Sequence, residues 1–238
     1  MSSPPLTVCC VLWVGRGNLR RNYTAAWVRR LRDMVAKNLT IPHRFLCLSN
    51  VSVDGVERVP LELGLRDWWP KIELFLPRPG DEGTRLLYLD LDVLVTGSLD
   101  DIATFPAPIA FAPPHPVLTN QPDLTAPAGV IYRYQSSCMV WSPPVGYEIA
   151  SRFHGAVRGR CRGDQDWIAE VNPDWPTMPA EWFAKLRQCP QGPKPGVKVV
   201  IGDGKWKPDT APWPWVKRIW QGDGDIFCPE GSVAHAGH

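Results

Sequence analysis

No run of residues in the sequence approaches the length of a membrane span. No basic start leads into a long apolar stretch, and Val8 to Val14 is too short for a signal core plus cleavage site. Charge of either sign is not in excess: 26 Lys and Arg against 24 Asp and Glu leave a formal net charge of +2. Global charge therefore gives no support to nucleic-acid or membrane binding. The seven cysteines are an odd number without regular spacing, which speaks against a disulfide framework, and Cys9, Cys47 and Cys138 sit inside apolar runs as small core residues. A reducing, cytoplasmic setting is the expectation. No internal repeat or linker is visible, so the 238 residues read as one α/β domain. Residues 1–112 form its first half and 113–238 its second.

What the chain does have is 26 Pro and 12 Trp. Proline at that level means many rigid loops, and Trp in loops often lines pockets for flat or sugar-like ligands. Taken in order, Thr7 to Val14 reads as a strand, followed by a turn at Gly15 to Asn18. Asn22 or Thr24 caps a helix to about Leu39, whose apolar positions Trp27, Val28, Leu31, Met34 and Val35 recur at helical spacing. Arg44 to Leu48 and Val56 to Leu61 are the next strands. This β-α-β order favours a mostly parallel, doubly wound sheet with helices on both faces.

The centre of the chain is Arg85 to Leu99, RLLYLDLDVLVTGSL. Its continuous apolar run suits a strand covered on both faces. Asp90 and Asp92 interrupt it. Carboxylates there are costly to bury unpaired, so they belong at the sheet edge facing a cation, a hydrogen-bonding network or solvent. If the chain stays extended, the i, i+2 spacing puts both on one face. That arrangement suits a divalent ion with hard oxygen ligands; the plain alternative is two acids in a turn.

Several other segments carry chemistry. Pro70 opens a short helix in LRDWWPKIELFL, with Lys71 at its mouth. Asp100 and Asp101 read as helix N-terminal charges. Pro113 to Pro127 is a long loop of the kind that forms lids or binding segments, and it holds His115. Tyr134 to Trp141 is a strand whose polar start, Gln135-Ser136-Ser137, can face a ligand. The arginine-rich loop Arg158 to Arg162 precedes Asp164-Gln165-Asp166, whose acids either stabilise a helix start or face a ligand. Trp175 to Cys189 shows no clear pattern. Val197 to Ile201 is the last strand, ending in GDGKWKP, where glycines flank an acid and two lysines follow, as in a loop that approaches an anion closely. Trp213, Trp215 and Trp220 lie in a segment broken by prolines.

Taken together, WWPKIELF, LLYLDLDVLV, YQSSCMVWSP, GDQDWI and GDGKWKP give a sequence that resembles the GT-A fold glycosyltransferases. Within them it is similar to the family 8-like group of glycogenin and bacterial lipopolysaccharide galactosyltransferases. The resemblance runs over nearly the whole chain and depends on the motifs standing in this order. It implies the following. Asp90 and Asp92 hold Mn²⁺ or Mg²⁺ on the diphosphate of a nucleotide sugar, a UDP-sugar first. Lys71 lies near the donor's phosphate or sugar. Asp164 and Asp166, with Gln165 between them, touch the transferred sugar or flank its anomeric carbon. Gly204 to Pro208 matches a late G-x-x-K-P, which makes Lys207 the diphosphate clamp. Retention at the anomeric carbon is implied too; the acceptor, whether carbohydrate, lipid-linked or protein, is not written in these motifs.

The chain departs from that pattern twice. Gln135 stands where the group has Asn. No His precedes the late glycine, so Asp203 is the candidate third metal ligand, with His235 its rival. Two other readings remain. LLYLDLDVLV and VVIGDG also resemble haloacid-dehalogenase-like phosphatases, although the D-x-D lies far from the start and lacks the following Gly-Thr. A non-catalytic sugar-binding module would share the Trp and Pro content.

Overall fold

A computed structural model describes residues 5–15, 23–114, 133–202 and 204–221. His115, Asp203 and His235 lie outside the described residues, as do the turn 16–18, Asn22 and most of the Pro113 to Pro127 loop.

The expected doubly wound sheet is built from β1 (Leu6–Leu12), β2 (His43–Ser49), β3 (Glu57–Pro60) and β4 (Arg85–Leu89), then β6 (Ile109–Ala112) and β7 (Gln135–Trp141). Among the described residues its order is β3-β2-β1-β4-β7-β6. β1 runs parallel to β2 and to β4, and β2 parallel to β3. β7 enters antiparallel beside β4, and β6 pairs antiparallel with β7. Successive side chains point to opposite faces, so each central strand feeds two cores. Val8, Cys10, Leu12, Leu87, Leu89, Cys138 and Val140 pack on one side with Trp27, Val28, Leu31 and Val35 of the helix Ala25–Asn38. Cys9, Leu86, Tyr88, Met139 and Trp141 pack on the other with Ile72, Phe75, Ile149 and Trp167. Helices thus cover both faces.

The sequence expectation of one strand through the D-x-D differs from what is seen. The chain turns at Leu91 and Asp92, with the Val93 amide 3.4 Å from the Asp90 carbonyl. Beyond the turn, β5 (Val93–Val95) joins a second sheet, ordered β5-β9-β8, with β8 (Phe183–Lys185) and β9 (Val199–Ile201). Val93, Leu94 and Val95 stay buried, so the apolar run is real but serves two sheets. The second sheet adds to the doubly wound one without replacing it, and it interleaves the two halves of the chain. The tryptophan-rich end also differs: Pro214–Gln221 is a helix. Pro214 occupies its first position, where a missing N–H costs nothing, and Trp215, Val216, Ile219 and Trp220 form its buried face. The described cysteines are buried thiols. Among the described residues no helix is long and apolar enough to cross a membrane.

Candidate active site

β4 ends beside β7, and the Asp90 amide donates to the Ser137 carbonyl at 2.9 Å. That bond sets Asp90 at the carboxyl end of the parallel strands, where open α/β sheets form their ligand crevice. Its Oδ1 accepts from the Tyr88 hydroxyl at 2.5 Å and pairs with Lys71 Nζ at 3.0 Å. Lys71 projects from the 3-10 helix Trp69–Phe75, which starts with Pro70 in its first turn. The lysine is buried. Its ammonium also meets Asp164 Oδ2 at 3.1 Å and the Ser136 hydroxyl at 3.0 Å. Ser136 in turn donates to Asp164, and its amide donates to Gln165 Oε1 at 3.2 Å. Two carboxylates widely separated in sequence thereby share one cation.

The electrostatics follow from that arrangement. Burial works against the Lys71 ammonium, but Asp164 and Asp90 outweigh it and hold its pKa above the ordinary lysine value. Burial likewise works against the Asp90 carboxylate, and Lys71, Tyr88 and Ser137 together bring its pKa below the usual range. The Tyr88 hydroxyl is pushed up by burial and by the Asp90 charge. At neutral pH Lys71 is an ammonium, Asp90 a carboxylate and Tyr88 a neutral donor.

Asp92 has different company. Its carboxylate accepts from the Tyr23 hydroxyl at 3.0 Å and pairs with Lys207. The late loop reaches it because Gly202 at the end of β9 donates its amide to the Asp92 carbonyl at 3.2 Å. A Cβ at Gly202 would stand 2.7 Å from that carbonyl oxygen, so only glycine permits the approach. Gly204 begins the following turn at φ 49°. Trp206 stacks on Trp213 at 5.1 Å, which braces the loop carrying Lys207.

Asp90, Asp92 and Lys71 line one cavity of about 170 Å³ with Tyr23, Trp68 and Tyr88. Asp164, Gln165, Asp166 and Gln135 line a neighbouring cavity of about 400 Å³, and Lys71, Asp90 and Trp68 form the shared wall. Asp164, Gln165 and Asp166 open the helix Asp164–Val171. Asp166 is partly turned away: its Oδ2 accepts from the Arg162 amide at 2.9 Å and from the Arg162 guanidinium at 3.4 Å. Two participants escaped sequence reading. Lys185, at the end of β8, is 3 % exposed and donates to Gln135 Oε1 at 2.9 Å. Tyr23 lies just before a helix in a stretch without a motif. The lone cation among Phe183, Ala184 and Leu186 was the only available signal for Lys185.

The donor chemistry at Asp90 and Asp92 suits a metal. Asp90 and Asp92 face one cavity with hard oxygen donors, which fits a divalent ion that takes its other ligands from water and a bound anion. Among the described residues no cluster of three His, Cys, Asp or Glu exists, so the described protein donors number two carboxylates.

Comparison with known proteins returns no matching family model and no matching curated protein. Solved structures do match. The galactosyltransferase LgtC, in complex with donor and acceptor sugar analogues, aligns with a TM-score of 0.55 at 13 % identity, over 90 % of this chain and 94 % of that one. The glycosyltransferase GlyE of Streptococcus pneumoniae aligns with a TM-score of 0.60 at 11 % identity over 90 % of this chain, which spans 60 % of GlyE. Together with the sheet order and the interleaved second sheet, these likenesses define the fold as the GT-A fold of glycosyltransferases.

Proposed function

We propose that this protein transfers a sugar from a nucleotide-diphosphate sugar, a UDP-sugar first, to a hydroxyl acceptor, aided by Mn²⁺ or Mg²⁺. The observation that carries the reading is the shared wall: Lys71 joins Asp90 of the D-x-D to Asp164 and Ser136 across two adjoining cavities. A nucleotide sugar has two parts that need adjoining sites, an anionic diphosphate and a neutral ring. The cavity at Asp90 and Asp92 suits the first, and the cavity at Asp164 and Gln165 the second. Asp90 and Asp92 would hold the ion, and the ion supplies Lewis-acid stabilisation of the departing diphosphate.

This chain's own residues would then act as follows. Lys207, released from Asp92, places its ammonium on the diphosphate and offsets the charge that builds as the sugar leaves. Asp164, fixed by Lys71 and Ser136, presents a carboxylate whose position does not depend on the ligand. Gln165 has its side-chain carbonyl taken by the Ser136 amide, which leaves its NH₂ to donate to a sugar hydroxyl. Lys185 fixes Gln135 in the same sense, with its NH₂ available to the ring. Asp166 contributes through the Arg162 loop. Retention of anomeric configuration belongs to this reading through the family resemblance. The fold of LgtC and GlyE supports it over a phosphatase.

The test is release of UDP from a panel of UDP-sugars with Mn²⁺, beside calorimetric titration of UDP with Mn²⁺ or with EDTA. UDP release and metal-dependent binding are expected. Equal UDP affinity in EDTA removes the metal from the proposal, and no release from any donor removes the transfer.

A further inference from the structure

The arginine-rich segment Arg158 to Arg162 starts in the short helix Val157–Arg160 and enters the donor reading above only through Arg162, the tether of Asp166. It lines a third cavity of about 670 Å³ with Asp67, Trp68 and Trp69. Trp68 belongs to this cavity and to both others, and Arg162 belongs to this one and to the cavity at Asp164. A molecule seated here would therefore touch the sugar-side cavity directly.

The walls are built. Asp67 is the one described non-glycine residue in the left-handed region, at φ 63°, and this turn sets the Trp68 ring on the cavity rim, 37 % exposed. Gly163 backs the ring: a Cβ there would lie 3.1 Å from Trp68 Nε1. Arg160 is held by Glu170 through Nε and Nη2, the latter at 2.6 Å, and sits 5.7 Å from the Trp167 ring. Its Nη1 remains for a ligand. Arg162 is tethered to Asp166. The Arg158 guanidinium has no hydrogen-bond or ion-pair partner among the described residues. Glu170 and Asp166 balance Arg160 and Arg162, so the Arg158 guanidinium, together with the open Nη1 of Arg160, is what can take an anion, and guanidinium forks suit carboxylate and phosphate oxygens. The exposed indole suits the apolar face of a sugar ring.

We propose that the acceptor of this enzyme is an anionic sugar, whose ring lies against Trp68 and whose carboxylate or phosphate is bound by Arg158 with Arg160. The proposal rests on the transfer reading for the word acceptor, but the binding site stands or falls separately.

The test is a ligand-observed NMR titration of the full chain with glucose, glucuronate and glucose 6-phosphate, with and without UDP and Mn²⁺. At least one anionic sugar should bind about tenfold or more tightly than glucose, the scale of one charge-assisted hydrogen bond, and the larger gain tells carboxylate from phosphate. Filling the donor site with UDP should leave that preference in place. Arg158→Gln should abolish most of it, and Arg158→Lys should keep part of it. Equal binding of all three sugars overturns the proposal. So does a preference that survives Arg158→Gln, or one that UDP removes, since it would then belong to Lys207. Failure of UDP to bind while the anion preference holds would overturn the donor reading and leave this one intact.

Discussion

The two acids of the D-x-D look equivalent in sequence and are not equivalent in the fold. Asp90 ends a central strand and is gripped by Lys71, a buried lysine that also holds Asp164. Asp92 lies in a turn and meets Lys207, which sits on a loop and has Asp92 as its ion-pair partner. Lys71 cannot leave without setting the carboxylates of the buried Asp164 and the largely covered Asp90 against each other with no cation between them. Lys207 can leave, because an entering cation or anion would satisfy both ends of its ion pair. The comparison separates a fixed strut from a displaceable clamp, and each variant below tests that separation.

Lys71→Met should do the most damage. It leaves the buried Asp164 and the largely covered Asp90 without their cation, and breaking a buried pair from one side costs on the order of 3 kcal/mol. Urea unfolding should show that loss, and UDP release should vanish with it. Stability within about 0.5 kcal/mol of the parent would place Lys71 with ordinary surface residues and end the strut argument.

Much of this was legible beforehand, and the exceptions have physical causes. The helix Ala25–Asn38 and strand Ile109–Ala112 fall where periodicity put them, because strong apolar patterns over a whole element leave few alternatives. The D-x-D stands out by residue type, and Lys71, Asp164, Gln165 and Lys207 by the resemblance of the ordered motifs; all but Lys207 line the adjoining cavities, which Lys207 meets through its ion pair with Asp92. The break at Leu91 was not legible. A buried run reads the same whether it stays in one sheet or passes through a turn into a second, since both keep its residues apolar. The helix Pro214–Gln221 was hidden because prolines crowd its approach, although the last of them occupies the one helical position that tolerates it. Lys185 and Tyr23 act through tertiary contacts to Gln135 and Asp92, and single residues outside a pattern carry no sequence signal for such partners.

Asp164→Asn comes next in size. The amide keeps the shape but loses the charge that Lys71 compensates, so turnover should fall roughly 100-fold if the carboxylate acts on the sugar in the transition state. UDP affinity, measured by calorimetry, should stay within a few-fold. A matching collapse of UDP affinity would move Asp164 to the nucleotide side and erase the division between the two cavities.

Lys207→Met should reverse that pattern. The fold should lose less than with Lys71→Met, because Lys207 serves a single carboxylate that keeps its bond from Tyr23 and faces a cavity from which water or a cation can reach it. UDP affinity should fall about tenfold or more with the lost charge-assisted contact to phosphate. If unfolding shows a loss as large as that of Lys71→Met, Lys207 is a strut too, and the clamp needs another residue.

The smallest effect should come from Tyr23→Phe. The Tyr23 hydroxyl donates to the same carboxylate oxygen of Asp92 that meets Lys207, and it belongs to the side of the site that is expected to rearrange. A hydrogen bond to a charged group contributes about 1.5–3 kcal/mol when nothing replaces it. Here water and an incoming cation can replace it, so the net cost should stay below that range. UDP affinity in the presence of Mn²⁺ should change by less than about tenfold, and the Mn²⁺ concentration for half-maximal UDP release should move in step with it. A loss as deep as that of Lys207→Met would mean that Asp92 is held in place as firmly as Asp90. The asymmetry between the two acids would then reside in the lysines alone and not in the turn that separates them.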